Sequence, residues 1–255
     1  MSVYTALLLA GSRPGTDPFA AAHGTDLKAL IPVGGVPMVA RPVAALLAAP
    51  EVRDIRVLAQ QPLRIGAVLP QDSRVRVEES LGTIAETLLA ILQDPRTSFP
   101  LLVTTADHAL LDPAMIAEFC ASAEGADVVV GLVEQRALMA ALPETKRSWI
   151  RFRAGAYSGA NLFAFGSRDA ARAIAVWRSV EQDRKKGWRM IAALGPAMLL
   201  GAVLRLRTLD QTLASVGRKL GLVIRKVELA DPLAAVDVDK PADHELVSAI
   251  IESRA

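Results

Sequence analysis

The feature that most constrains the fold is an alternation of short apolar runs with amphipathic segments in the first half of the chain. The apolar runs have the length and aliphatic composition of strands buried on both faces of a sheet: Tyr4–Ala10, Ile55–Gln60, Leu101–Thr105 and Val128–Leu132. The segments between them predict helices: Pro37–Leu47, Ile84–Leu92 and Pro113–Ser122. This order predicts an α/β fold with a doubly wound, mostly parallel sheet that binds ligands at the carboxyl ends of its strands.

Local signals support the helix starts. Pro37 and Pro113 suit a first helical position, because proline lacks the backbone N–H that is unpaired there. Asp112 precedes Pro113 and is a good N-cap residue. We therefore expect helices to begin at both prolines.

The second half of the chain changes character. Strands are predicted at Ile150–Arg153 and Leu162–Phe165, on either side of a Gly/Ser/Tyr turn. Further strands are predicted at Leu222–Val227 and Ala235–Val238, followed by a helix at Pro241–Ser253. A long helical stretch precedes these last strands. We interpret residues 1–255 as a single domain, with residues 168–220 as a helical subdomain or lid within it.

Composition excludes several classes of protein. Hydrophobic residues make up 52% of the chain, which is enough for a sizeable core, and the formal net charge of +2 gives no electrostatic case for nucleic-acid binding. Cys120 is the only cysteine, so an internal disulfide and a cysteine zinc site are excluded, and a cytoplasmic location is expected. The apolar start lacks a basic leader region and is predicted to be the first strand.

One apolar run, Met190–Leu204, needs a separate interpretation. It is shorter than the roughly 20 residues that a spanning helix requires, so no transmembrane segment is predicted. Arg205 and Arg207 follow it, which leaves peripheral membrane contact open. Because the run is hydrophobic all round, we favour burial against the sheet or against a partner subunit, and a homo-oligomer stays open.

The first strand leads into a loop suited to phosphate binding. Gly11 at the end of the strand permits close approach of backbone N–H groups to phosphate oxygens. Arg13 and Lys28 add positive charge for a triphosphate. The alternative is an ordinary loop with solvated bases, since the segment matches neither common phosphate-loop pattern.

Acidic residues lie where a metal site would be expected. Asp107 directly follows a predicted strand, so its carboxylate sits at the carboxyl edge of the sheet, where it could hold Mg²⁺ against phosphates. Asp237 and Asp239 alternate along a predicted strand and would share one face. A turn or N-cap role is the alternative for Asp107. Asp243 is interpreted as a first-turn helix charge, and His108 as either a substrate contact or a turn residue.

Five segments, in this order, resemble the MobA-like and sugar-phosphate nucleotidyltransferase superfamily, which has a GT-A-like α/β fold. They are LAGSRPG with the following LKALIPVGGVPM, LGTIAET at residues 81–87, TTADH at 104–108, YSGAN at 157–161 and DVDKPAD at 237–243. The first two resemble a phosphate loop and a base-facing segment. The other three resemble a metal-binding strand, an acceptor-pocket segment and a terminal acidic motif. Ser12 stands where a second loop glycine is usual in the family.

The resemblance implies an enzyme that joins an NMP from an NTP to a small phosphorylated acceptor with Mg²⁺, and CTP is favoured over GTP. It assigns catalysis to Lys28, Arg13 and Asp107, and metal binding to Asp107, Asp237 and Asp239. It assigns nucleotide binding to the following residues: Leu9, Ala10, Gly11, Ser12, Arg13, Lys28, Gly82 and Thr83.

The acceptor is expected to bind near Asn161, whose amide can donate and accept hydrogen bonds. Arg151 and Arg153 lie an even step apart on a predicted strand and could meet one phosphate, although a solvated strand would show the same pattern. An ionised acceptor phosphate needs charge relief and positioning rather than a strong base. Two alternatives stay open: an NDP-sugar glycosyltransferase and a regulatory nucleotide-binding protein without catalysis.

Overall fold

The structure, a computed structural model, describes residues 2–11, 15, 17–182 and 207–254. In this part of the chain the strands are β1 (Tyr4–Leu9), β2 (Pro32–Val33), β3 (Val36–Pro37), β4 (Val52–Ala59), β5 (Val75–Glu79), β6 (Leu101–Thr105), β7 (Val128–Glu134), β8 (Ile150–Phe152), β9 (Gly155–Phe165) and β10 (Ile224–Glu228). The α-helices are α1 (Pro18–Ala22), α2 (Ala40–Ala48), α3 (Pro62–Gly66), α4 (Ile84–Gln93), α5 (Pro113–Ala123), α6 (Gln135–Ala141), α7 (Ala171–Gln182), α8 (Leu209–Leu220) and α9 (Pro241–Arg254). Short 3₁₀ helices occupy Lys28–Leu30, Arg168–Ala170 and Pro232–Ala235.

The main sheet has the order β10-β7-β9-β6-β1-β4-β5, and β8 pairs with the first part of β9. Neighbouring strands pair in parallel except at β9, which runs antiparallel to β6, β7 and β8. The predicted mostly parallel α/β sheet is therefore confirmed.

Helices cover both faces of this sheet. Alternate residues of β1 point to opposite faces: Tyr4, Ala6 and Leu8 belong to one core with α2, α5 and α9, whereas Leu7 belongs to a second core with α4 and α7. Leu7 and Leu8 are fully buried. A strand with apolar residues on both faces needs a helical layer on each side, which explains the doubly wound arrangement.

Capping side chains determine where two helices begin. Asp112 accepts a hydrogen bond from the backbone N of Met115 at 2.8 Å, and Pro113 opens α5, as predicted. Thr83 caps α4: its hydroxyl accepts from the N of Glu86 at 3.2 Å, and the Glu86 carboxylate accepts from the N of Thr83 at 3.0 Å. The expected starts of α4 and α5 are confirmed.

Three local predictions are wrong. Pro37 lies in β3 rather than at a helix start, because Gly34 and Gly35, both with positive φ, fold β2 and β3 into a hairpin and delay α2 to Ala40. The segment 157–161 is not a turn but part of the long strand β9. Ala235–Val238 is not a strand: Val236 and Val238 are buried, but a 3₁₀ helix ends at Ala235, and the segment has no strand pairing.

The helical stretch predicted over 168–220 is described only at its ends, by α7 and α8. The run Met190–Leu204 lies outside the described residues, so the helical subdomain stays a prediction. Within the described ranges, the helices are too short or too polar to cross a bilayer.

The pairing of strand β9 with β7 contains an irregularity. Val130 pairs with Phe163 and Leu132 pairs with Gly159, so Gly131 alone faces the three residues 160–162. Asn161, in the middle of these three, has φ 48°, in the left-handed region that only glycine and asparagine adopt readily. The bulge is therefore centred on Asn161.

Gly131→Ala should destabilise the fold, because a methyl group there would lie 3.0 Å from Cβ and 3.1 Å from the carbonyl O of Leu162. The expected loss is about 1–3 kcal/mol of unfolding free energy, measured by chemical denaturation. Gly159→Ala is the matched control, because a methyl group at that position of β9 contacts nothing within 4 Å. Equal stability of the two variants would contradict this account of the bulge.

Candidate active site at the carboxyl edge of the sheet

The carboxyl ends of four parallel strands are joined side by side by backbone hydrogen bonds. The N of Ala10 donates to the O of Leu58 at 2.9 Å, and the N of Ala106 donates to the O of Leu9 at 2.9 Å. The N of Ser80 donates to the O of Ala59 at 3.0 Å. These bonds place Leu9 to Gly11, the segment after β5 and Asp107 along one edge, where this fold class binds ligands.

Lys28 forms the centre of this edge. Its Nζ donates to Oδ2 of Asp107 at 2.8 Å and to Oδ1 of Asp239. One ammonium group thus joins three distant parts of the sequence: the segment after the first loop, the end of β6 and the segment before α9. The side chains of Lys28 and Asp107 are only 20% and 22% exposed, whereas Asp239 is exposed to solvent, so only the pair of Lys28 with Asp107 is largely shielded.

The charge states at Lys28 and Asp107 follow from this pairing. Burial tends to lower the pKa of Lys28, but the carboxylates of Asp107 and Asp239 outweigh it and leave that pKa raised. Burial tends to raise the pKa of Asp107, but Lys28 and the Thr105 hydroxyl, which donates to its Oδ1, leave that pKa lowered. Both groups are therefore charged near neutral pH.

A second ion pair lies beside the first. The Arg147 guanidinium, 8% exposed, donates to Oδ1 of Asp237, to the O of Asp237 at 3.0 Å and to Oδ1 of Asp243 at 3.4 Å. Nδ2 of Asn161 donates to Oδ2 of Asp237 at 3.2 Å. The bulge in β9 thus aims the Asn161 amide at the acidic segment.

The site holds more negative than positive charge. Four carboxylates, those of Asp107, Asp237, Asp239 and Asp243, surround two cations, Lys28 and Arg147. Burial and then the negative charge of Asp239 raise the pKa of Asp237, and Arg147 only partly opposes them. The centre therefore favours an additional cation.

Asp243 and Arg147 are the residues that sequence reasoning missed. Asp243 lies in the first turn of α9, as expected, but it is also buried, and its Oδ2 accepts from the backbone N of Asp239 at 3.2 Å. Arg147 follows Lys146 and precedes Arg151 and Arg153 by a few residues, and no local pattern distinguishes it from these basic neighbours. Only their contacts reveal that these two residues hold the acidic segment in place.

Two carboxylates converge well enough to hold a divalent metal. Asp107 and Asp239 already share one cation, the Lys28 ammonium, and hard carboxylate oxygens are the donors that Mg²⁺ prefers. In the part of the chain that the structure describes, no three His, Cys, Asp or Glu side chains converge on one point. Mg²⁺ usually takes one or two carboxylates and completes its shell with water and phosphates, so this donor set fits it.

Those of the predicted nucleotide residues that the structure describes lie along the same edge. Gly11 faces the Gln60 side chain, which a methyl group at position 11 would approach to 3.0 Å. Gly82 has φ 50°, and a side chain there would collide with the Glu86 carboxylate. Gly82 and Thr83 thus form the tight entry to α4, a helix N-terminus that exposes backbone N–H groups. Ser12 and Arg13 lie outside the described residues.

The structure does not bring Arg151 and Arg153 to the acidic cluster. Both side chains are exposed, Arg151 on β8 and Arg153 just beyond it, where the N of Arg153 donates to the O of Arg207 at 3.1 Å. His108 is fully buried beside Thr104, and burial lowers its pKa to about 4, so it is a neutral core residue. His23 and His244 pack together with ring centroids 4.8 Å apart.

The fold and this edge define a nucleotidyltransferase class of enzyme, and the comparisons agree. The MobA-like NTP transferase domain matches residues 7–197, and the chain belongs to this family. Among curated proteins, none matches the chain at a significant level.

Solved structures show the same architecture. A hypothetical transferase from Thermus thermophilus is 28% identical with a TM-score of 0.79, and the match covers 95% of this chain and 99% of that one. A CMP:2-keto-3-deoxy-manno-octonic acid synthetase complexed with CTP is 17% identical with a TM-score of 0.62 and full coverage of both chains. A 4-diphosphocytidyl-2C-methyl-D-erythritol synthase from Anaerococcus prevotii is 10% identical with a TM-score of 0.62, over 98% and 96% of the chains. The last two similarities concern the fold.

Arg147→Met should lower the unfolding free energy by about 3–5 kcal/mol, because it leaves buried carboxylates without their cation. Arg136→Met, at an exposed position on α6, is the matched control and should be nearly neutral. Thermal and chemical denaturation would measure both variants. Adding Asp237→Asn to Arg147→Met should recover part of the loss, and the assignment is wrong if Arg147→Met is as stable as the control.

Proposed function

We propose that this chain is a Mg²⁺-dependent nucleotidyltransferase that transfers an NMP from an NTP to a small phosphorylated acceptor and releases pyrophosphate. CTP is the favoured donor and GTP the next. The observation that carries the proposal is the Lys28 ammonium held between Asp107 and Asp239 at the carboxyl edge of the sheet. It joins a phosphate-binding cation and two metal-binding carboxylates in one cluster. The preference for CTP is supported by the resemblance of the YSGAN and DVDKPAD segments and by the fold shared with a synthetase that is complexed with CTP.

Asp107 and Asp239 are the residues that would hold Mg²⁺, and Asp237 supplies further negative charge nearby. When bound, Mg²⁺ would neutralise phosphate charge and stabilise the negative charge of the departing pyrophosphate. Asp237 itself is already engaged by Arg147 and Asn161. In this proposal it positions the segment that carries Asp239.

Lys28 would exchange partners when the nucleotide binds. In the structure its ammonium neutralises Asp107 and Asp239. A triphosphate would offer the ammonium other charge-assisted hydrogen bonds, and the two carboxylates would then be free to hold Mg²⁺. Gly11 would let the backbone approach the phosphates, Ser12 and Arg13, which follow it in the sequence, would also bind them, and Gly82 and Thr83 would face the base. Lys28, Arg13 and Asp107 form the catalytic set.

The acceptor would bind on the side of β9. A phosphate is largely ionised near neutral pH, so it can attack the α-phosphorus directly, and the enzyme need only align it and reduce the repulsion between two anions. Asn161, already directed at the cluster, would orient the acceptor through its amide. Arg151 and Arg153 would add exposed positive charge for an acceptor extending toward β8. The enzyme would act in the cytoplasm, where the free, buried Cys120 stays reduced.

Pyrophosphate release tests the proposal directly. The chain is incubated with Mg²⁺, each of the four common NTPs and a panel of phosphorylated sugars, polyols and alcohols. CTP should support the fastest acceptor-dependent release. Asp107→Asn, which keeps the side-chain volume but loses the charge, should reduce kcat by at least about 100-fold, as expected for loss of a main electrostatic contact. No acceptor-dependent release with any NTP, or full activity of folded Asp107→Asn, would contradict the proposal.

Lys28→Met should change the binding of metal and nucleotide in opposite directions. Removal of the ammonium frees Asp107 and Asp239, so the affinity for Mg²⁺ alone should rise by about tenfold, or about 1.4 kcal/mol. The affinity for CTP with Mg²⁺ should fall, since a charge contact worth about 2–4 kcal/mol is lost. Calorimetry measures both, with the exposed Lys219→Met as the charge control. Unchanged Mg²⁺ affinity would show that Lys28 does not compete with the metal.

A further inference from the structure

A cavity of about 480 Å³ lies beside the acidic centre, which is the group of four carboxylates of Asp107, Asp237, Asp239 and Asp243. The residues that line this cavity are not among those to which the proposed function above assigns a role in acceptor binding. The C-terminal end of α6 and the loop after it form one wall, and the first turns of α9 form the other. The described residues that line it are Ala141, Leu142, Pro143, Glu144, Thr145, Lys146, Lys240, Ala242, Asp243 and Leu246. Its volume falls within the range of about 300–1,000 Å³ that small-molecule sites occupy.

The cavity and the acidic centre share Asp243. The carboxylate of Asp243 accepts hydrogen bonds from Arg147 and from the backbone N of Asp239, so the residue that lines the cavity also holds the metal-binding segment. Lys240, another lining residue, directly follows Asp239. A molecule seated in the cavity would therefore have one end next to the centre.

The inner surface of the cavity is apolar and well supported. Leu142 and Leu246 are partly buried and pack against the main hydrophobic core. Ala141, Pro143 and Ala242 add small apolar surfaces without charge. Such a surface favours hydrocarbon over water, by about 25 cal/mol per Å² of apolar area that is removed from solvent.

The charge at the rim favours an anion. Lys146 and Lys240 are exposed, and neither forms an ion pair with a carboxylate in the ranges that the structure describes. Two carboxylates also line the cavity: Asp243 is engaged by Arg147, and Glu144 is exposed to solvent. The two lysines therefore outnumber the single uncompensated carboxylate, which favours a negatively charged ligand at this rim.

We infer that this cavity binds the acceptor, and that the acceptor combines a phosphate with an apolar body, as in a phosphorylated alcohol with a hydrocarbon chain. The apolar body lies against Leu142 and Leu246. The phosphate lies at Lys146 and Lys240, on the side that borders the centre. This inference rests on the proposed function for the identity of the acceptor, but the binding of such a molecule does not depend on catalysis.

Calorimetry with two probes, hexyl phosphate and glycerol 3-phosphate, tests the inference. Both carry the same anion, and only hexyl phosphate has an apolar body. Hexyl phosphate should bind at least about tenfold more tightly, because the inner surface of the cavity removes hydrocarbon from water. Lys146→Ala and Lys240→Ala should each weaken hexyl phosphate several-fold, whereas Lys219→Ala, at an exposed position on α8, should not.

Blocking variants show where the probe binds. Ala242→Trp on α9 and Ala141→Trp on α6 fill the cavity from opposite walls, and each should abolish hexyl phosphate binding. Ala249→Trp, at an exposed position of α9 outside the cavity, is the matched control and should bind normally. The two substitutions lie on separate walls of the cavity, and circular dichroism checks that each variant is folded. If one variant misfolds, hexyl phosphate binding by the other still tests the assignment.

The outcomes separate the inference from the proposed function. Equal affinity for the two probes, or normal hexyl phosphate binding in both blocked variants, overturns the cavity assignment even if CTP binds and reacts. Loss of hexyl phosphate binding in both blocked variants supports the cavity assignment, even if no NTP is a substrate. CTP binding with Mg²⁺ should be unchanged in the blocked variants, and competition between CTP and hexyl phosphate for the cavity would overturn the assignment.

Discussion

The contact of Lys28 with Asp107 and Asp239 is the interaction on which the arrangement of this site depends. These residues lie at the start, middle and end of the sequence, and the sheet brings their segments to one edge. Without a shared cation, two carboxylates this close would repel each other in a partly buried place. The lysine therefore stabilises this edge of the sheet. In the proposed function it would move to the triphosphate, and the two carboxylates would then be free to hold Mg²⁺.

Arg147 plays a similar role in the neighbouring group of ion pairs. It neutralises Asp237 and Asp243, and Asp243 in turn holds the backbone of Asp239. The segment from 236 to 239 has no strand partner and depends on such contacts for its position, together with the bond from the N of Val238 to the O of Asp107 at 3.0 Å. The same network forms the border of the adjacent cavity, so the proposed acceptor pocket and the carboxylates proposed to hold the metal are supported by one set of ion pairs.

Most of the fold could be predicted from periodicity, because strands buried on both faces have near-continuous apolar runs. The runs at β1, β4, β6 and β7 met that condition, and the cap of α5 was visible as Asp112, whereas the capping role of Thr83 at α4 emerged only from the structure. Strand β5 was missed because it lies at the sheet edge, and its Arg and Glu residues do not resemble a buried strand. The small residues of the segment 157–161 favour a turn, but pairing with β7 keeps residues 157–159 extended, and Asn161 forms a bulge within the strand.

The sequence by itself determined the fold class, the family and the candidate residues Lys28, Asp107, Asp237 and Asp239, because buried strands and their polar ends leave local patterns. The tertiary structure alone decided how those residues pair: Lys28 with Asp107 and Asp239, and Arg147 with Asp237 and Asp243. It also decided that Arg151 and Arg153 stand apart from the cluster. The physical reason is that an ion pair between residues far apart in sequence depends on strand order, and the hydrogen bond from Asn161 to Asp237 depends on a bulge, and no local spacing specifies either of them.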